Sequence, residues 1–116
     1  MDNRLRQNRR LRRRHEFQRV YDRGFRTHGR LMTVFLLPTD GDVTRLGIAA
    51  TRKLGGAVER NRAKRLVREI FRHYRHPPGL DVVVVPRPAL LAAPLGEIEV
   101  DYASCLSRGG RRGRAR

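Results

Sequence analysis

The chain is 116 residues long, the size of one domain, and carries 27 Lys and Arg against 11 Asp and Glu, a formal net charge of +16. Such a surplus points to a polyanionic partner and says nothing about fold. No apolar run approaches the roughly 20 residues that span a bilayer, which puts nucleic acid ahead of a membrane.

From the N-terminus, residues 1–14 are mostly Asn, Gln and Arg with two isolated leucines, and read as a basic, flexible arm. The arm lacks the apolar centre of a secretory signal, and the single cysteine, Cys105, allows no internal disulfide, so the cytoplasm is the expected location. From Glu16, the apolar residues Phe17, Val20 and Tyr21 recur at helical spacing. Gly24 is placed to end that helix in a left-handed turn.

Leu31 to Leu37 is strand-forming, and Pro38 to Asp42 supplies turn chemistry. Thr44 to Thr51 alternates, with Leu46, Ile48 and Ala50 on one face and smaller residues on the other, so the two segments are expected to pair as a hairpin. The valine run Asp81 to Val85 predicts a third strand buried on both faces. Between these strands Val58 to Tyr74 is the longest helical pattern. Ala63, Leu66, Val67, Ile70 and Tyr74 make its apolar stripe, with Phe71 at the edge, while Asn61, Arg65, Arg68 and Arg72 fall opposite. A last helix is expected over Leu95 to Leu106, ahead of Gly109 and Gly110. The folded domain is then 15–107, and 108–116 reads as a disordered Gly/Arg tail.

The basic helix carries the functional signal. A solvated helix mixes charge signs in i,i+4 pairs, whereas here only Glu59 and Glu69 oppose many basic residues. Gly55 and Gly56 allow a tight turn before it, and free N–H groups at a helix start attract phosphate. No paired carboxylates, nucleophile with a base, or metal-ligand cluster stands out; Glu69, His73 and His76 read as ordinary surface residues and Cys105 as a buried small hydrophobe. Of the 27 basic residues only Lys53 and Lys64 are lysines. Codon usage accounts for such a bias, and it is compatible with bidentate phosphate binding by arginine.

The string Arg52 to Arg72, RKLGGAVERNRAKRLVREIFR, resembles the protein subunit of bacterial ribonuclease P, with Lys53, Gly56, Ala57, Val58, Arg60, Asn61, Lys64, Arg65, Arg68 and Phe71 matching. The likeness extends over Arg10 to Gly24, the expected hairpin and the VVVVPRP segment. It implies an α/β (α+β) fold: a single-domain α-β sandwich of the ribosomal protein S5 domain 2-like kind, with a four-stranded sheet and a left-handed βαβ crossover. Three strands are evident; the fourth would come from dividing Arg30 to Arg52 differently or from a short extra edge. Pattern alone would favour a right-handed connection.

By the same resemblance the chain would assist endonucleolytic removal of the 5′ leader from precursor tRNA, with catalysis and magnesium belonging to an RNA subunit bound 1:1. Arg52, Lys53, Arg60, Asn61, Arg62, Lys64, Arg65 and Arg68 would meet that RNA. Phe17, Tyr21 and Phe35 would line a leader-binding cleft, although an aromatic at such spacing is commonly core, and both faces of the Phe35 strand are apolar. Two other readings stay open: a ribosomal or other structural RNA-binding protein, and a nuclease acting without RNA.

Overall fold

A computed structural model describes residues 9–114. Its elements in chain order are α1 (Arg14–Arg23), β1 (Phe25–His28), β2 (Met32–Pro38), β3 (Arg45–Ile48), a short 3-10 turn (Arg52–Leu54), α2 (Ala57–His73), β4 (Leu80–Pro86), a second 3-10 turn (Pro88–Ala92) and α3 (Leu95–Arg114). The four strands form one mixed sheet in the order β1-β2-β4-β3.

β4 explains this order. Val82 and Val84 point to one face and Val83 to the other, and all three are fully buried. Only a central strand with both faces covered can do that. The expected pairing of β2 with β3 is therefore overturned: β4 lies between them, antiparallel to β2 with Val34 opposite Val84, and parallel to β3 with Leu46 opposite Val82. The parallel pair is joined through α2. The fourth strand is the short edge β1, paired antiparallel with β2.

Alternation then sorts the side chains into two layers. Met32, Val34, Leu36, Leu46, Val82 and Val84 pack against Ala63, Val67, Ile70 and Phe71 of α2 and Ile98, Tyr102 and Leu106 of α3. On the other face Val20 of α1 and Val83 are buried, with Phe17, Tyr21, Phe35, Leu37 and Val85 partly buried around them. Burying a large apolar side chain contributes about 1.5–3 kcal/mol, so the α2 stripe fixes that helix firmly on the sheet. Phe71, expected at the stripe's edge, is among its most buried members.

Three further expectations change. The described part of the arm expected over 1–14 packs on the sheet: Arg10 bridges in parallel to Leu46, the Leu11 N–H donates to the Leu46 carbonyl at 2.9 Å, and Leu11 is 5% exposed. The isolated Leu11 is thus an anchor, and its strap shields the edge of β3. Residues 1–8 lie outside the described residues. Gly24 ends α1 in extended backbone, φ −81° and ψ 171°, and not in a left-handed turn. It is small because a β-carbon would lie 2.5 Å from the Val20 carbonyl oxygen. Finally, α3 continues to Arg114, well into the segment expected as a tail, because Gly109 lies buried against Leu36 of β2 and prolongs the packed face. Residues 115–116 are not described.

One polar network sets the position of α1. Asp81 on β4 is 1% exposed and accepts two hydrogen bonds from Arg45, Nε to Oδ1 and Nη2 to Oδ2, both at 2.9 Å. Arg19 of α1 adds a third at 3.2 Å, and Arg45 also reaches Glu16 at 3.0 Å. Glu16 accepts the Arg13 and Arg12 backbone N–H groups at 2.8 and 2.9 Å. The Arg13 hydrogen bond is the main reason its carboxyl lies below the usual glutamate range. Two strands and a helix start are thereby locked together.

Candidate nucleic-acid interface

α2 presents its basic side because the turn before it is fixed. Leu54 is buried in the core, and Gly55 turns the chain at φ 124°, a backbone conformation that L side chains rarely adopt. Arg52 and Lys53 directly precede Leu54 and are exposed. At the helix start the Gly56 N–H donates to Glu59 Oε1 at 2.8 Å. A carboxylate there offsets the positive end of the helix, so the attraction expected from free N–H groups is reduced, and side chains carry the surface.

The predicted RNA-facing residues divide into two rows. Asn61, Arg62 and Arg65 are exposed, whereas Arg60, Lys64 and Arg68 are half-buried along the flank of the apolar stripe. Among the described residues none of Arg52, Lys53, Arg60, Arg62, Lys64, Arg65 and Arg68 forms an ion pair. Burial first, then the charges of Arg10 and Arg65, hold the Arg68 guanidinium below its ordinary pKa. The two acids of the helix are otherwise engaged, Glu59 at the cap and Glu69 with Arg72 and His73. Arg72, expected on the free face, is therefore a paired residue.

The predicted aromatic set converges. Tyr21 meets Phe35 edge-on with ring centroids 4.9 Å apart, and Phe17 lies 6.5 Å from Tyr21. All three are half-buried on the α1 face of the sheet, so each keeps part of its ring at the surface. Burial raises the Tyr21 phenol, which stays neutral. Phe17 rests on Gly47 of β3, where a β-carbon would lie 2.7 Å from the ring. The smaller face of β3 noted in the sequence is the seat for this aromatic.

The two surfaces adjoin. A groove of ≈ 320 Å³ is lined by Arg10, Leu11, Arg12, Phe17, Leu46, Ile48, Lys64 and Arg68, so it touches the strap, α1, β3 and α2 at once. Sequence reasoning missed Arg10 and Arg12 here because it placed them in a flexible arm; Leu11 between them was the available signal.

No three His, Cys, Asp or Glu side chains come together as a metal site among the described residues. His76 instead packs among Phe71, Tyr74 and Tyr102, with its Nε2 2.7 Å from the Tyr102 hydroxyl, and burial pushes its pKa down to about 4. Cys105 is buried, as expected. No described helix is long and apolar enough to cross a membrane.

Comparison with known proteins agrees with this geometry. Residues 5–109 match the family model described as Ribonuclease P. The chain is 44% identical over 98 residues to the ribonuclease P protein component of Desulfovibrio desulfuricans, covering 81% of this chain and 72% of that one. The RNase P protein from Thermotoga maritima superposes with a TM-score of 0.77 at 34% identity, over 85% of this chain and 96% of that one. The Staphylococcus aureus RNase P protein gives 0.75 at 32% identity, over 85% and 93%. A sheet with this order, a basic α2 anchored on it and a family match over nearly the whole described length place the chain in the ribonuclease P protein family.

Proposed function

We infer that the chain serves as the protein subunit of a ribonuclease P in tRNA 5′ processing, partnered with the ribonuclease P RNA and with precursor tRNA. Family membership supports this role. The observation that carries the mechanism is the row of basic residues on α2 with no acid partner among the described residues, held rigidly by a buried apolar stripe. Arg52, Lys53, Arg60, Asn61, Arg62, Lys64, Arg65 and Arg68 dock on the RNA subunit in a 1:1 complex. Phe17, Tyr21 and Phe35 receive the single-stranded leader. Base stacking on a ring is worth roughly 1–3 kcal/mol and is tolerant of sequence, which suits leaders that differ between tRNAs.

Catalysis falls to the RNA subunit. The protein binds, screens phosphate repulsion and orients the leader, and magnesium sits mainly on RNA phosphates. The work is cytoplasmic. No observation favours a ribosomal role or a nuclease acting alone.

Reconstitution at low magnesium tests the reading. Adding the chain to a ribonuclease P RNA should restore leader cleavage under conditions where the RNA alone is slow, and the chain alone should cut nothing. Cleavage of precursor tRNA by the protein free of RNA would reverse the assignment of catalysis.

A further inference from the structure

The groove between the ridge and the aromatic face has walls of unlike origin. Lys64 and Arg68 come from α2 and Phe17 from α1, while Arg10 and Arg12 come from the N-terminal strap. No acidic side chain lines it among the described residues. The strap is not free to swing away: the Arg10 backbone is bridged to Leu46, Leu11 is buried behind it, and Arg9 donates to the Thr44 carbonyl at 3.3 Å with its guanidinium 5.1 Å over the Phe71 ring. Arg10 is thus held beside Arg68 although like charges repel. Its Nε atom is buried without an acceptor among the described residues. An anion bridging the two guanidiniums from the groove offsets their mutual repulsion and gains charge-assisted hydrogen bonds.

We propose that Arg10, with Lys64 and Arg68, forms a phosphodiester-binding subsite, and that, when the phosphodiester is the leader's, Phe17 beside it takes the base of the same nucleotide. The strap thereby becomes a third RNA-contacting element and joins the α2 ridge to the aromatic face in one continuous track. This rests on the reading that the chain binds RNA. It adds a residue, a ligand chemistry and a geometry that neither surface supplies alone. The phosphodiester belongs either to the RNA subunit or to the leader, and the two are separable by experiment.

The test uses the full chain and Arg10→Ala, with Arg10→Gln as a variant that keeps much of the packing stem and loses the charge should Ala lower the melting temperature. Affinity is measured for the isolated RNA subunit, and then, with the reconstituted holoenzyme, for precursor and mature tRNA across a salt series. One lost phosphate contact should reduce the slope of log affinity against log salt by about 0.7–0.9 and weaken binding on the order of tenfold near physiological salt. Loss with the RNA subunit alone assigns the phosphate to that RNA; loss confined to leader-bearing precursor assigns it to the leader. A strap of merely structural importance would lower the melting temperature and leave the slope unchanged. The proposal is overturned if wild type binds both RNAs and the folded variants match it in affinity and slope. Failure of wild type to bind any of these RNAs would instead remove the RNA-binding reading itself.

Discussion

Two groups of arginines stand on the same small sheet and differ in one respect. Arg19 and Arg45 converge on Asp81 and Glu16 across α1, β3 and β4. Arg60, Arg65 and Arg68 on α2 have no acid partner among the described residues. Net charge counts both groups alike, and so does any census of basic residues. Pairing separates them: the first group is satisfied within the fold, and the second keeps its charge for something outside. The difference teaches that the informative quantity in a strongly basic chain is the set of guanidiniums the fold leaves unanswered.

Breaking the paired group has the largest expected effect. Asp81→Ala removes the one carboxylate that both Arg45 and Arg19 address, from a position 1% exposed. Removing one partner of a buried pair strands the other, and the expected loss is about 3 kcal/mol, at the low end because both arginines reach solvent. Urea unfolding measures it. A change within about 0.5 kcal/mol, the range of ordinary surface substitutions, would show the network to be ornamental.

The unpaired group should behave in the opposite way. Replacing Arg60, Arg65 and Arg68 together with Ala should leave the unfolding midpoint nearly unchanged, since none of the three forms an ion pair among the described residues. RNA-subunit affinity should fall on the order of 100-fold or more, because charge-assisted hydrogen bonds to phosphate are worth about 1.5–3 kcal/mol each. The salt slope should drop by roughly 2–3. Unfolding and filter-binding assays on the same preparations make the contrast direct, and a triple variant that binds normally would sink the docking assignment.

How much of this was legible in the sequence follows from the range of the interactions. The α2 stripe is written in local periodicity, so Ala63, Val67 and Ile70 could be placed without a structure. β4 announced its burial through consecutive valines. β1 did not: Phe25–His28 has no strong alternation and becomes a strand only by pairing with β2. The hairpin expectation failed because adjacency in sequence suggested β2 with β3, while the strand able to bury both faces arrives only after α2. Of the site, the ridge and the aromatic set were legible as residue types. That Arg72 is neutralised by Glu69, and that Arg10 enters the groove on a strap pinned by Leu11, depends on contacts no local pattern encodes.

Gly47 tests whether the aromatic face is independent of the ridge. In Gly47→Ala the new β-carbon would press on the Phe17 ring at 2.7 Å and on the Leu11 β-carbon at 3.0 Å. Overpacking of this kind costs about 1–3 kcal/mol, and the displaced ring should weaken binding of leader-bearing precursor while mature tRNA binds as before. Phe17→Ala and Phe35→Ala should give the same selectivity, with losses near the roughly 1–3 kcal/mol of one stacked base. Competition between precursor and mature tRNA in the holoenzyme reads this out. Equal losses for both ligands would show these rings to be core and not cleft.

The smallest effect discriminates most finely, because it frees a paired arginine of α2 from its acid partner. Arg72 lies one helical turn beyond Arg68 and bonds Glu69. Glu69→Gln removes the carboxylate charge and leaves the guanidinium in place. If RNA reads the unpaired charges of α2, the variant should bind the RNA subunit more tightly, by up to about threefold at low salt, with the gain fading as salt screens it. The Arg72 hydrogen bond holds the Glu69 carboxyl below its usual range, so at neutral pH wild type is fully ionised and the difference is complete. As pH falls through that lowered pKa, wild type loses the same charge and the two proteins should converge. Identical binding at neutral pH would mean that Arg72 lies off the RNA track, and that position along α2, not pairing, sets which arginines are read.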